Sequence, residues 1–338
     1  YILLPKGIEY SAGGAAFGAA GGAMIASIYL WIKYIKVRKE MGIKKIKTNT
    51  DILNEILKIA IPISLGATVG TIMNLIDSIV VPQKLIESGV TNATALYGQL
   101  TGKAAVLVNI PLTLSVAICT SLIPIISEHY ILNRKEEMQS KINIAMKLSA
   151  VIALPCSLGM FCLAGPIMKL VFFDKYEGIE ILRYLSISIP FVITTQTTTS
   201  ILQATNHYIR PVINLIIGCI VKVVLTIFLV PIPTINIFGA VIATVSAYIV
   251  VTILNLIALR TKTKCKVSIY DSFIKPAYAS VAMIVVVLFS YNFIVERLDN
   301  NSISCLLSIF MGIIIYMIAI LLFKIFEVDE IKNRLARK

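Results

Sequence analysis

Lys222 sits midway along an apolar stretch, Val212–Val230, in the string GCIVKVVLTIF. An ammonium at the centre of a membrane-spanning helix costs about 2.5–3.5 kcal/mol on insertion scales, and several leucines at about −0.5 kcal/mol each are needed to offset it. A lysine kept there either meets an anionic partner, on a substrate or on another helix, or snorkels along its own stem to the membrane surface. From the midpoint that reach is long, which favours a partner. Lys58 and Lys147 lie within two turns of the ends of their stretches, and snorkelling accounts for them. Asp77 and Lys103 fall at similar depth on consecutive antiparallel stretches, so they are placed to pair. Such a pair serves as a plain structural contact or as a gate at the mouth of a cavity, and the residues leave both readings open.

Uncharged polar groups add to this set. Ser64, Thr68, Thr71, Asn74 and Ser78 recur at helical spacing and form a stripe on one face. In lipid such a face must look at water, substrate or another helix. Thr194, Thr195, Gln196, Thr197, Thr198, Thr199 and Ser200, followed by Gln203, are too dense to share one face. Part of that run is expected to bond back to its own helix and part to line a cavity. Asn109, close to Pro111, is a further cavity donor. The candidate substrate and cavity residues are therefore Lys103, Lys222, Asn109, Asp77, Asn74, Thr71, Gln196 and Gln203. Pro62, Pro111, Pro155 and Pro190 lie inside apolar stretches, and Pro111, Pro155 and Pro190 are the hinge candidates, since each removes a backbone hydrogen bond.

The elements that must position these residues are nine apolar stretches, at about Ser11–Ile32, Ile56–Val81, Gly98–Ile126, Ile142–Gly165, Ile181–Gln203, Val212–Val230, Phe238–Leu259, Pro276–Val295 and Ile303–Phe323. Each is roughly 20 residues or longer, enough to cross about 30 Å of hydrocarbon as a helix. Lysines and arginines fall into alternate gaps, 21 on the side of the C-terminal tail against six on the other. The positive-inside rule puts the tail and basic loops in the cytoplasm and the start of the chain outside. Gly14, Gly18 and Gly22 give the first stretch overlapping GxxxG spacings suited to close helix packing.

Composition agrees with an all-α, polytopic membrane bundle. Hydrophobic residues make up 57% of the 338, and mean hydropathy is +0.87. The net charge of +13 sits in loops beside spans, so orientation and anionic lipid explain it better than nucleic acid. Six cysteines form no CxxC pair, and His129 and His207 stand apart, so no metal or disulfide set is read. Walker A, nucleotide-binding and Ser/His/Asp patterns are missing, which argues against an ATP-driven pump and against an enzyme. No cofactor is implied beyond a coupling ion or the membrane potential.

The string LYGQLTGKAAVLVNIPLTLSVAICTSLIPIISE, Leu96–Glu128, resembles the polysaccharide-biosynthesis flippases of the multidrug/oligosaccharidyl-lipid/polysaccharide (MOP) exporter superfamily. IEYSAGGAAFGAAGG, IDSIVVPQKL and ILQATNHYIRPVINLIIGCIVKVVLTIFLVPIPTINIFGAVIAT are similar to the same group, and the resemblance runs from about residue 8 to 325. The branch is that of stage V sporulation protein B, related to MurJ-type lipid II flippases. The resemblance implies about fourteen spans with both ends cytoplasmic, so the nine here are the sixth to fourteenth and earlier spans are expected upstream. It implies 1–35 as the last helix of a first lobe, 36–53 as a basic cytoplasmic linker, 54–260 as a second six-helix lobe, 261–325 as two additional spans and 326–338 as a cytoplasmic tail, read as a short amphipathic surface helix.

The function so implied is alternating-access translocation of an undecaprenyl-pyrophosphate-linked cell-wall or polysaccharide precursor across a bacterial plasma membrane, with spore-cortex peptidoglycan as one setting. Cavity cations would attract the pyrophosphate. MurJ-type relatives place an arginine where this chain has Val106. Lys103 is the nearest cation, and Lys222 stands where many similar sequences also have lysine. Much of the family's cationic site belongs to helices outside this chain, so the chain alone is not expected to transport. Two other readings are a cation-coupled multidrug exporter, which needs an acid deep in the membrane, and a scaffold docking wall-synthesis enzymes through Lys33–Lys47. Besides such enzymes, the expected partners are the lipid-linked substrate and membrane lipid.

Overall fold

The computed structural model describes residues 7–41, 50–173, 175–265 and 267–325, with the backbone alone at 8–12, 15, 16 and 19. Part of the basic linker, 42–49, and the tail 326–338 expected to form a surface helix lie outside the described residues. Every regular element among the described residues is helical. They run α1 (Ile8–Glu40), α2 (Thr50–Glu87), α3 (Ala93–Gly98), a π-helical segment (Gln99–Ala104), α4 (Ala105–Ile131), α5 (Lys135–Cys162), α6 (Ala164–Phe172), α7 (Ile179–Leu185), a 3-10 turn (Ser186–Ser188), α8 (Ile189–Ala204), α9 (Ile209–Leu229), α10 (Phe238–Thr263), a second π segment (Tyr270–Ile274), α11 (Lys275–Leu298) and α12 (Asn301–Leu322).

Eight helical runs among the described residues are long and apolar enough to cross a membrane, and they coincide with the second to ninth stretches read from the sequence. The protein is a multi-pass membrane bundle. The first stretch lies in α1, which at 33 residues is long enough to cross a membrane and is described in part by its backbone alone. Two compact units divide the chain, Tyr1–Leu57 and Lys58–Lys338. The first holds α1 and the opening turns of α2.

Packing in the second unit centres on the run from α7 through α8, the most deeply buried of the spans. α8 lies against α4, α5 and α10, α9 runs along α10, and α11 joins α12 to α5. Val81 and Leu85 of α2, Leu107 and Val108 of α4, Ile181 and Leu182 of α7 and Ile189 and Ile193 of α8 form one apolar cluster. α2 is buried only at Met73, Val81 and Leu85, so its C-terminal half anchors it. Where α9 meets α10 the turn is tight. A Cβ on Gly239 would stand 2.7 Å from the backbone of Leu229 and Val230, so this position accepts only glycine without a shift.

The prolines sit differently from one another. Pro111 is buried within α4, and Pro155 lies within α5. Pro190 stands in the first turn of α8, directly after the 3-10 turn, where its missing N–H removes no helical bond. Pro82 in α2 and Pro124 in α4 are also inside helices.

Candidate functional site

α2, α4, α8, α9 and α10 together wall a cavity of about 570 Å³. Thr71, Asn74 and Asp77 reach it from α2, Asn109 from α4 and Lys222 from α9, so five of the eight candidate residues meet there. Asp77 and Lys222 are its charged wall residues. The Lys222 ammonium donates directly to a carboxylate oxygen of Asp77, forming an ion pair between α2 and α9. Both side chains are withdrawn from solvent, 6% and 17% exposed respectively. Snorkelling is thereby excluded for Lys222, whose partner is on another helix.

That pairing corrects the expected Asp77–Lys103 contact. The Lys103 ammonium turns instead to the segment after α6, donating to the backbone carbonyl of Lys175 at 2.5 Å and to the Glu177 carboxylate at 2.7 Å, with the Phe172 ring 5.7 Å away. The physical reason is access. Lys103 lies in the π-helical start of its span and reaches acceptors in a loop, whereas Lys222 is stranded in mid-helix and Asp77 is the acid it meets. Outside the spans, the hydrogen bond from Lys103, with help from the backbone of Glu177 itself, holds the Glu177 carboxyl below its ordinary value.

Lys103, Gln196 and Gln203 are not among the described walls of the cavity. The threonine-rich run of α8 builds an interhelical network instead. Thr194, Thr197 and Thr198 bond back to carbonyls one turn earlier. Thr197 also meets Ser149 of α5 at 2.5 Å, and Thr195 meets Thr252 of α10 at 3.0 Å. Asn255, fully buried, donates to Thr198 and Thr199 and accepts from Asn214 of α9 at 2.8 Å. The stripe on α2 is likewise half self-satisfied: Thr68, Thr71 and Ser78 donate to their own helix, while Asn74 faces the cavity.

Sequence reasoning missed Tyr97, Thr244 and Tyr248, all of which wall the cavity. Thr244 and Tyr248 are one turn apart on α10, which was the available signal. It also missed Asn214 and Asn255, amides within α9 and α10, and Glu177, whose role depends on a loop. Thr226, one turn beyond Lys222, keeps a buried hydroxyl with no partner among the described residues. Chemically, the site offers one cation matched to one anion, beside amides and hydroxyls able to bind polar groups.

Comparison with known proteins places this architecture. The sequence profile of the lipid II flippase MurJ family matches residues 7–271. Stage V sporulation protein B of Bacillus subtilis (strain 168) is 27% identical over 345 residues, covering 98% of this chain and 65% of that protein. Lipid II flippase MurJ of the same organism is 26% identical, covering 72% of this chain and 46% of that one. A solved lipid II flippase MurJ in an inward closed conformation superposes with a TM-score of 0.62 at 19% identity, over 89% of this chain and 60% of that one. An outward-facing multidrug resistance MATE family transporter of the MOP superfamily superposes at 0.52 with 16% identity, over 78% of this chain and 64% of that one. These structural likenesses show a shared fold, and the chain spans less than two thirds of each relative's length.

Proposed function

The chain belongs to the MurJ lipid II flippase family, and from that premise we propose that it forms part of a flippase carrying an undecaprenyl-pyrophosphate-linked cell-wall or polysaccharide precursor by alternating access. The observation that carries this reading is the buried Lys222–Asp77 pair in the wall of a polar cavity. A lysine ammonium is a compact charge with three donors, so it can exchange a carboxylate for a pyrophosphate oxygen without being left unpaired. Asp77 then keeps Lys222 neutralised when the cavity is empty. A cation-coupled exporter would need Asp77 free, and here Lys222 occupies it.

Within this proposal residues 1–35 end a first lobe, 54–260 form the second and 261–325 add two spans. The protein sits in a bacterial plasma membrane with its C-terminus cytoplasmic. Spore-wall synthesis is the setting favoured by the likeness to stage V sporulation protein B.

Translocation of a fluorescent undecaprenyl-pyrophosphate-linked sugar by the full-length protein in vesicles tests the reading. Losing a charge-assisted bond to the pyrophosphate should slow Lys222→Gln roughly ten- to hundredfold. Unaltered precursor movement in that variant, or uptake of a cationic drug driven by an ion gradient with no precursor movement, would overturn it.

A further inference from the structure

A second cavity, of about 370 Å³, lies far along α10 from the site above, where that helix ends and the chain turns towards α11. Leu256 and Ile257 of α10, Val267 and Ile269 of the connecting turn and Phe273 of the π segment give it apolar walls, and Arg260 is its charged wall residue. The turn is set by Lys264, whose left-handed backbone, φ 57°, ends α10, and by Cys265, which is buried and whose N–H donates to Thr263. Two membrane-crossing runs, Phe238–Thr263 and Tyr270–Leu298, terminate here, so the pocket lies at the level where hydrocarbon gives way to headgroups.

The charges around it are unequal. Asp271, the nearby acid, is already held by Lys275 at 2.6 Å and by the Ser268 hydroxyl at 3.0 Å. Arg260, Lys262 and Lys264 form no ion pair among the described residues. Ile257 and Ile269 are 54% and 67% exposed, so the mouth opens towards lipid chains rather than towards bulk water. An apolar slot with the Arg260 guanidinium in its wall, and with Lys262 and Lys264 following in the same chain segment, fits an amphiphile with an anionic head and a hydrocarbon tail.

The geometry points to a binding site for an anionic phospholipid, one acyl chain in the Leu256–Phe273 slot and its phosphate on the Arg260 guanidinium, with Lys262 and Lys264 adding positive charge from the adjoining chain. The planar fork of Arg260 suits the phosphate oxygens bidentately. This site stands apart from the Lys222 cavity and does not depend on the transport reading.

Tryptophan quenching tests it. Trp31 is the one tryptophan in these 338 residues, so in a background with Trp31→Phe and any tryptophan elsewhere in the protein also replaced by Phe, Ile257→Trp places a single reporter at the mouth of the slot, on an exposed position that tolerates the larger ring. Bilayers are prepared with phosphatidylglycerol or phosphatidylcholine brominated on the acyl chains. Brominated phosphatidylglycerol should compete for the slot about fivefold better than brominated phosphatidylcholine, and Arg260→Gln should abolish that preference. Equal quenching by the two lipids, or a preference that survives Arg260→Gln, would overturn the assignment. So would a reporter shielded from both lipids until residues 326–338 are removed, since the slot would then belong to the chain's own tail.

Discussion

Lys222 and Asp77 are each other's answer to the same problem. Either charge alone in that position would be desolvated without compensation, and removing one partner from such a pair costs about 3–5 kcal/mol. Asp77→Asn and Lys222→Gln should therefore each lower the unfolding midpoint in detergent. The double variant should lose much less than the two losses combined, and simple additivity would show that the pair carries no coupling. Glu177 behaves differently because it is exposed and lies in a loop. Its folded carboxyl is held below the ordinary 4.5, so the contribution of the Lys103–Glu177 contact is complete above that pH and disappears as pH falls through the lowered folded value. Comparing thermal midpoints of the wild type and Glu177→Gln should give a constant difference from neutrality to about pH 5 that closes in stronger acid. A difference that widened in acid would mean that the contact is not the ion pair described.

At the level of elements, the bundle is fastened by small residues and polar ties as well as by apolar surface. Membrane helices gain no hydrophobic drive against each other in lipid, so close approach and interhelical hydrogen bonds matter more. The α9–α10 turn is the sharpest instance. Gly239→Ala would press a methyl group against backbone atoms of Leu229 and Val230 that cannot rotate away. A cost of about 1–3 kcal/mol follows, visible as a lowered unfolding midpoint with the helix content of the folded protein unchanged. The α8 threonines perform the second kind of fastening. Part of that run bonds back to its own helix as expected, and the part expected to line a cavity meets Ser149, Thr252 and Asn255 instead.

For the whole molecule, the distribution of basic residues sets an orientation that can be measured. In a cysteine-free background, a cysteine replacing Lys175 should react with a membrane-impermeant maleimide on intact cells, while one replacing Arg134 should react only after permeabilisation. The reverse pattern would invert the topology and, with it, the leaflet in which the Arg260 slot lies. Sequence alone determined most of the architecture. Hydropathy and length are properties of single segments, so eight of the nine stretches could be placed without any tertiary information, and the family strings could be read as they stand. Sequence also singled out Lys222 and Asp77 as residues needing partners, because the desolvation of a buried charge is local. Which charge met which was decided by tertiary structure: pairing depends on helix rotation and on where a loop delivers Glu177, and both are set by packing between segments distant in the chain.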